Sequence, residues 1–348
     1  MSLLDLRADR ELLAPGSVGN LLRVHPDLPV DWEAWDLDES YRHAATDLTH
    51  PESVRLVQAD ALMARVEVVH RYRASTITQV VGLRAGSRRL DVDTRLDWRD
   101  QEKVLRAVFA LDVHAEVERS EIQYGHVQRP THENTSWEAA RFEACAHRWI
   151  HVGEGAGHAA YGVGIVTDST YGHDVRRGSV GGRRTTNVGL TLLRAPVAPD
   201  PCADLGEHAF SYGLLAGDVP ATIEEGYALN LPLRPVDAPR TPPAPLVALE
   251  EVVGGVTVEA VKLADDRSGD LVVRLYEAHG ARGRAVLTCS VGPSAVEVTD
   301  LLEEAIDPAA HPELAARHDG VIAQRDGGWA VSLRPFQVLT LRLRVGRA

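Results

Sequence analysis

Arg89-Leu90-Asp91-Val92-Asp93-Thr94-Arg95-Leu96-Asp97-Trp98 is the stretch that decides the fold. Leu90, Val92, Thr94, Leu96 and Trp98 fall on one side of a two-residue repeat, and Arg89, Asp91, Asp93, Arg95 and Asp97 fall on the other. That is an extended strand with one wet face. The alternation returns at Leu271, Val273 and Leu275, and at Ala285, Leu287, Cys289 and Val291. It returns again at Leu339, Leu341, Leu343 and Val345, with Arg342 and Arg344 facing out. Short turn signals punctuate these runs, as in Arg84-Ala85-Gly86-Ser87, Asp168-Ser169 and Asp326-Gly327-Gly328. Such spacing suits antiparallel hairpins better than helical crossovers. The expectation is an all-β chain whose sheets pack face to face.

Working outward, one segment resists that pattern. Ser136 to Trp149 is rich in Ala, Glu and Arg, and Ser136 with acids soon after it suits a helix start. Phe142, Ala144 and Ala146 also fit a two-residue repeat, and a sheet neighbour overrides a weak local preference. Further on, Pro232, Pro235, Pro239, Pro242, Pro243 and Pro245 crowd one stretch, which cannot continue a central strand. The expected division is a β-domain over 1–231, a Pro-rich connector over 232–245 and a smaller β-domain over 246–348. Val298 to Ala316 reads as a loop with a short helix.

Composition narrows the function classes. The chain has 348 residues and a formal net charge of −13, so it offers no basic field to gather nucleic acid or anionic lipid. No apolar run approaches the roughly 20 residues of a membrane span. Met1-Ser2-Leu3-Leu4-Asp5 lacks the features of a secretory signal, from which a cytoplasmic location is expected. Cys145, Cys202 and Cys289 are scattered, with no C-x-x-C spacing, and suggest neither a disulfide framework nor a structural zinc site.

The densest polar cluster runs from Gln123 to Trp137 and includes Tyr124, His126, Arg129, His132 and Asn134. Aromatic faces, amides, imidazoles and a guanidinium in a Gly- and Pro-containing loop are the groups that stack on sugar rings and bond their hydroxyls. The same composition fits a polar hairpin bonding to its own backbone. A second cluster, Val166 to Asp174, contains Asp168, Tyr171 and His173 and reads as a strand-end turn, with Asp168 and Asp174 as turn-making acids. His126 with His132, or His147 with His151, would be the histidine pairs to weigh as metal ligands, yet no H-E-x-x-H spacing supports them. No nucleophile elbow, Walker loop or dinucleotide fingerprint is present.

Several long strings resemble the C-terminal region of family 38 α-mannosidases of the cytosolic and bacterial type. They include Tyr124-Gly125-His126-Val127-Gln128-Arg129-Pro130-Thr131-His132, Asn134-Thr135-Ser136-Trp137 and Ala140-Arg141-Phe142-Glu143. Tyr171-Gly172-His173-Asp174-Val175, Leu192-Leu193-Arg194-Ala195-Pro196 and Asp204-Leu205-Gly206-Glu207-His208 follow, and the tail adds Leu275-Tyr276-Glu277 and Leu333-Arg334-Pro335-Phe336. The similarity covers nearly the whole chain.

The resemblance implies a galactose-mutarotase-like supersandwich, here expected to lack its first strands, followed by a small β-sandwich. It implies a retaining, zinc-dependent enzyme that hydrolyses terminal α-linked mannose. In that family the two carboxylates and the zinc belong to an N-terminal barrel, for which an all-β chain of this length has no room. This chain is therefore expected to be a fragment that binds no cofactor itself, with no catalytic residue of its own. It would support and border the active site and meet α-mannosides or oligosaccharides at the domain interface. Tyr124, His126, Arg129, His132, Asn134, Asp168, Tyr171 and His173 are the candidate cleft residues. The resemblance also favours strand over helix for Phe142 to Trp149. Separation from the barrel would uncover an interface and promote homo-oligomers. The alternatives are a stand-alone mannoside-binding, lectin-like module and a sugar mutarotase, the latter on fold analogy only.

Overall fold

The computed structural model describes residues 2–155, 161–235, 244–318 and 321–345. The chain forms two compact units, Met1–Glu121 with Val127–Pro232, and Ile122–His126 with Leu233–Ala348. Of the Pro-rich connector expected at 232–245, residues 236–243, including Pro239, Pro242 and Pro243, lie outside the described residues.

The first unit rests on a nine-stranded and a six-stranded sheet. Arg89–Trp98 forms a strand between Gly206–Gly217 and Ser75–Arg84, antiparallel to both. Its apolar side faces the six-stranded sheet. Val92, Leu96 and Trp98 join one hydrophobic core with Leu105, Ala107, Phe109 and Leu111 of the strand Lys103–Leu111, all 3 % exposed or less. Each buried Val, Leu or Phe among them contributes about 1.5–3 kcal/mol by leaving water. The all-β expectation, with sheets face to face, holds.

The wet face is only half wet. Asp93 and Arg95 are exposed, but Arg89 and Asp91 are buried. The reason is the helix Val219–Asn230, which packs on that side of the nine-stranded sheet. Arg89 bonds Asp91 at 2.5 Å and the Glu225 carboxylate and carbonyl at 2.8 and 3.0 Å. Asp218 caps the helix by accepting the Ala221 N–H at 3.0 Å, and Pro220 lies in its first turn. Gly164 admits the helix, because a Cβ there would meet Thr222 Oγ1 at 2.4 Å.

Ser136 to Trp149 follows neither expectation throughout. A helix covers only Ser136–Ala139, started by Thr135, which accepts the Glu138 N–H while Glu138 accepts the Thr135 N–H. A continuous strand from Phe142 to Trp149 is not formed. Ala144 and Cys145 pair with His173 and Gly172 in the six-stranded sheet, whereas Trp149–Gly153 is a strand of the nine-stranded sheet. The chain is changing sheets here, so one unbroken ladder is impossible.

The second unit packs two four-stranded antiparallel sheets on each other. Leu271–Glu277 and Val338–Arg344 are central strands, and Val273, Leu275, Leu287 and Leu341 between the sheets have no exposed surface. The strand Gly283–Cys289 ends before Val291. Arg342 does not face water as expected. It is 9 % exposed, because Asp270 at 2.9 Å and Asp266 at 2.5 Å cover it. The helix Pro312–His318 occupies the end of the segment read as a loop with a short helix.

Candidate functional site

The sequence from Gln123 to Trp137 is not one loop. Val117–Ile122 and Gly125–Pro130 are neighbouring strands joined at Gln123 and Tyr124, with Tyr124 at a φ of +57°. Alternating inward and outward side chains therefore send its polar residues to different places. The turn residues 122–126 belong to the second unit. There the Tyr124 ring meets Tyr276 edge-on with centroids 5.8 Å apart, and His126, buried, meets Phe336 edge-on at 5.1 Å.

Arg129 and His173 come together in the first unit, at a carboxylate that the sequence did not single out. Glu118 Oε1 accepts from Ser120 Oγ at 3.2 Å and Arg129 Nη1 at 3.3 Å, and His173 Nε2 stands 3.4 Å away. Glu118 is 3 % exposed, and Ser120 and His173 are wholly buried. Burial works to raise the Glu118 pKa, but the His173 hydrogen bond and the His173 and Arg129 charges outweigh it and hold it below the ordinary range.

The remaining candidates are dispersed. His132 lies within ion-pair distance of Glu138, at 3.1 Å. Asn134 is exposed. Asp168 makes a turn, accepting the Ser211 N–H and the Ser169 hydroxyl at 2.9 and 2.7 Å. The Tyr171 ring lies 5.9 Å from the His147 ring. Asp174, read as a second turn acid, sits instead inside the strand Gly172–Val180.

Asp174 leads to a polar cleft on the outer face of the six-stranded sheet, within the first unit, with room for about 310 Å³. Leu105 and Ala107 point to the core, which sends Arg106 to the opposite face. Arg106 pairs with Asp174 at 2.6 Å, with side-chain exposures of 3 % and 14 %. Its other amine reaches the Tyr41 hydroxyl at 2.6 Å. Burial raises the Asp174 pKa, but the charges of Arg106 and Arg176 outweigh this and leave it below the usual range. Gly189 keeps the floor open, because a Cβ there would come within 2.6 Å of Asp174 Oδ1.

Around this pair stand His25, Arg42, Glu133, Arg176 and Asn187. His25 Nδ1 lies 3.0 Å from the carbonyls of Tyr41 and Ala44, so Nδ1 carries the proton. Burial pushes the His25 pKa down, which leaves a neutral ring whose Nε2 accepts. Sequence reading missed these residues. The available signal was Arg106, an arginine at a position flanked by core Leu and Ala, but the partners that make it a site come from distant strands.

Among the described residues no three of His, Cys, Asp and Glu gather to hold a metal ion. His151, weighed as a ligand with His147, is buried and directs Nε2 to the Gly217 carbonyl at 3.0 Å. No helix among the described residues is long and apolar enough to cross a membrane.

Comparison with known proteins follows the fold. The family model described as "Glycosyl hydrolases family 38 C-terminal domain" matches residues 1–202, and the "Glycosyl hydrolases family 38 C-terminal beta sandwich domain" matches residues 255–341. Alpha-mannosidase 2C1 of Homo sapiens is 35% identical over 358 residues, which cover 98% of this chain and 32% of that protein. Alpha-mannosidase G of Dictyostelium discoideum is 30% identical over 311 residues, covering 84% of this chain and 27% of that protein. The chain thus spans about a third of the length of the curated relatives it matches. The crystal structure of an alpha-mannosidase from Enterococcus faecalis V583 shares the fold, with a TM-score of 0.72, 16% identity, and coverage of 99% of this chain and 40% of that one. The two family segments lie in the order and on the β-architecture described above, and the chain belongs to glycosyl hydrolase family 38 as its C-terminal region.

Proposed function

We propose that this chain is the carbohydrate-facing, non-catalytic C-terminal part of a retaining, zinc-dependent α-mannosidase that removes terminal α-linked mannose, and that it supports and borders the active site. The observation that carries the reading is the match of 98% of this chain to about a third of alpha-mannosidase 2C1. On that reading the rest of the enzyme holds the catalytic carboxylates and the zinc. Retention needs two carboxyl groups about 5–5.5 Å apart, one an ionised nucleophile and the other a proton donor. The first unit's cleft carboxylates are instead engaged by arginines: Asp174 by Arg106 and Arg176, and Glu133 by Arg42. The described residues do not fit a zinc site, and no step of the proposed role runs through a metal on this chain.

The proposal includes domains at 1–231 and 246–348, a cytoplasmic location, a candidate sugar-facing set of Tyr124, His126, Arg129, His132, Asn134, Asp168, Tyr171 and His173, and self-association through uncovered surface. The edge strand Ser53–Ala59 supports the last point, with Val54 and Leu56 62% and 64% exposed.

The test is direct. The pure chain with zinc and a chromogenic α-mannoside should release no product, whereas the full parent reading frame should hydrolyse it with retention, read from the anomeric proton of the first-formed mannose. Chelator-sensitive turnover by the chain alone would overturn the proposal.

A further inference from the structure

We infer that the cleft of the first unit, centred on Arg106 and Asp174, is a binding site for a neutral pyranoside that works independently of hydrolysis. Three observations carry this.

The first is the ion pair. A sheet face that is simply solvated has no need of a desolvated Arg–Asp pair, since removing both charges from water costs several kcal/mol per ion before their attraction offsets it. Here the pair lies at the bottom of a concave space, with Arg106 almost entirely covered. The walls that bury it are the segment carrying Tyr41 and Arg42, and Glu133. Fixed charged groups beneath a cavity of this size are what small-ligand sites use to set orientation.

The second is ion pairing. The arginines that line the cleft are each already engaged by a carboxylate: Arg23 with Asp47, Arg42 with Glu133, Arg106 and Arg176 with Asp174, and Arg177 with Glu116. A neutral ligand can enter without breaking any of these pairs. Asp174 serves two arginines, so the group keeps a positive charge, and phosphate is the rival ligand that the titration must exclude.

The third is the mixture of donors and acceptors. The half-exposed guanidinium of Arg176 and the amide of Asn187 donate, while the carboxylate of Glu133 and the neutral imidazole of His25 accept. A sugar hydroxyl does both at once, and adjacent hydroxyls on a pyranose ring present that alternation over a few ångströms. Val108 adds an apolar patch among these groups for the ring's C–H face. The volume of about 310 Å³ lies at the small end of ligand pockets and suits one or two rings.

The experiment is calorimetric titration of the whole chain with methyl α-mannoside, methyl α-glucoside and, as the anionic probe, inorganic phosphate, repeated with Asn187→Ala and Arg42→Gln. Hydrogen exchange with and without the sugar, on the unaltered chain, locates the contact whether or not the variants fold. Expected are saturable millimolar binding of at least one neutral glycoside, a loss of at least tenfold in each variant that keeps its native near-UV spectrum, and protection in peptides spanning residues 23–42 and 174–189. No saturable binding of either glycoside, preferential phosphate binding, or protection elsewhere in the chain would overturn the inference. None of these readouts depends on hydrolysis, so the mannosidase proposal stands or falls separately.

Discussion

Glu277, wholly buried, accepts the backbone N–H of Phe336 at 3.2 Å. The same carboxylate accepts from His279, Gly280 and Ala281 at 3.0, 2.8 and 3.0 Å. Phe336 has a φ of +56°, and its ring lies where a Cβ on Gly125 or Gly280 would come within 2.7 Å. The strings Leu275-Tyr276-Glu277 and Leu333-Arg334-Pro335-Phe336 thus meet at one corner of the second unit. Their work there is structural.

Replacing Glu277 with Ala leaves these N–H donors without their acceptor, at a cost of about 3 kcal/mol or more. Glu277→Gln keeps one acceptor oxygen and should lose about half as much. Hydrogen exchange of the strand Leu271–Glu277 reads the local opening free energy. Unchanged exchange in the Ala variant would remove the corner from the account.

The buried group at Glu118 and His173 joins the two large sheets, since Val117–Ile122 lies in the nine-stranded sheet and Gly172–Val180 in the six-stranded one. Substituting His173 by Phe leaves Glu118 to Arg129 and Ser120 alone and should destabilise the first unit by about 2–3 kcal/mol in urea denaturation. A double-mutant cycle with Glu118→Gln should return a coupling of about 1–2 kcal/mol. Additive effects would mean that the two residues do not act as a pair. Because the folded carboxyl is held below its ordinary pKa, this contribution is complete above that value and is lost as pH falls through the acid range.

The period of two in Arg89–Trp98 located that strand to the residue, because alternation between a core and an open face is a local property of the chain. What covers the open face is not local. Arg89 and Asp91 read as wet because the helix that buries them comes some 130 positions later in sequence, at Val219–Asn230. Asp218 and Pro220 carried a start signal for that helix, but Gly226 and a β-branched pair, Thr222 and Ile223, diluted its pattern. The candidate site failed for the same reason. Tyr124, His126 and Arg129 are near one another in sequence, but a strand alternates its side chains, and a turn takes two of them into the second unit. Asp174 was legible as an acid close to Gly172, which suited a turn. Its partner Arg106 could be assigned only once the strands Lys103–Leu111, Arg183–Arg194 and Gly172–Val180 were known to lie side by side.

Arg89 ties the helix to the sheet through a fork that a lysine cannot reproduce. The guanidinium reaches Asp91 and both the carboxylate and the carbonyl of Glu225, whereas an ammonium offers a point charge on a flexible stem. Arg89→Lys should cost about 1–2 kcal/mol, and Arg89→Ala more, because buried Asp91 then loses its hydrogen-bonded partner and keeps only the exposed Arg84 at 3.9 Å. Faster amide exchange within residues 219–230, with the strand Lys103–Leu111 unaffected, is the expected signature. Equal loosening of both segments would argue against a local tie.

His151 gives the first unit an acid sensitivity that begins well above the carboxylate range. It is 1 % exposed, and burial, reinforced by the charge of Arg119 directly across the strand pair, pushes its pKa down to about 4. The unfolded chain takes up this proton near pH 6.5, while the folded one refuses it until about pH 4. Above the first value the residue is neutral in both states and stability does not depend on it. Between the two, the unfolded state binds more protons, so stability falls as pH falls, by about 2 kcal/mol at pH 5. His151→Gln keeps a donor for the Gly217 carbonyl and has no such proton to bind. Buried His25 and His70 are shifted the same way and will leave part of the slope in place. Urea midpoints compared at about pH 7 and about pH 5 should therefore fall less for the Gln variant than for the parent, and an equal fall in both would show that His151 takes its proton as readily folded as unfolded.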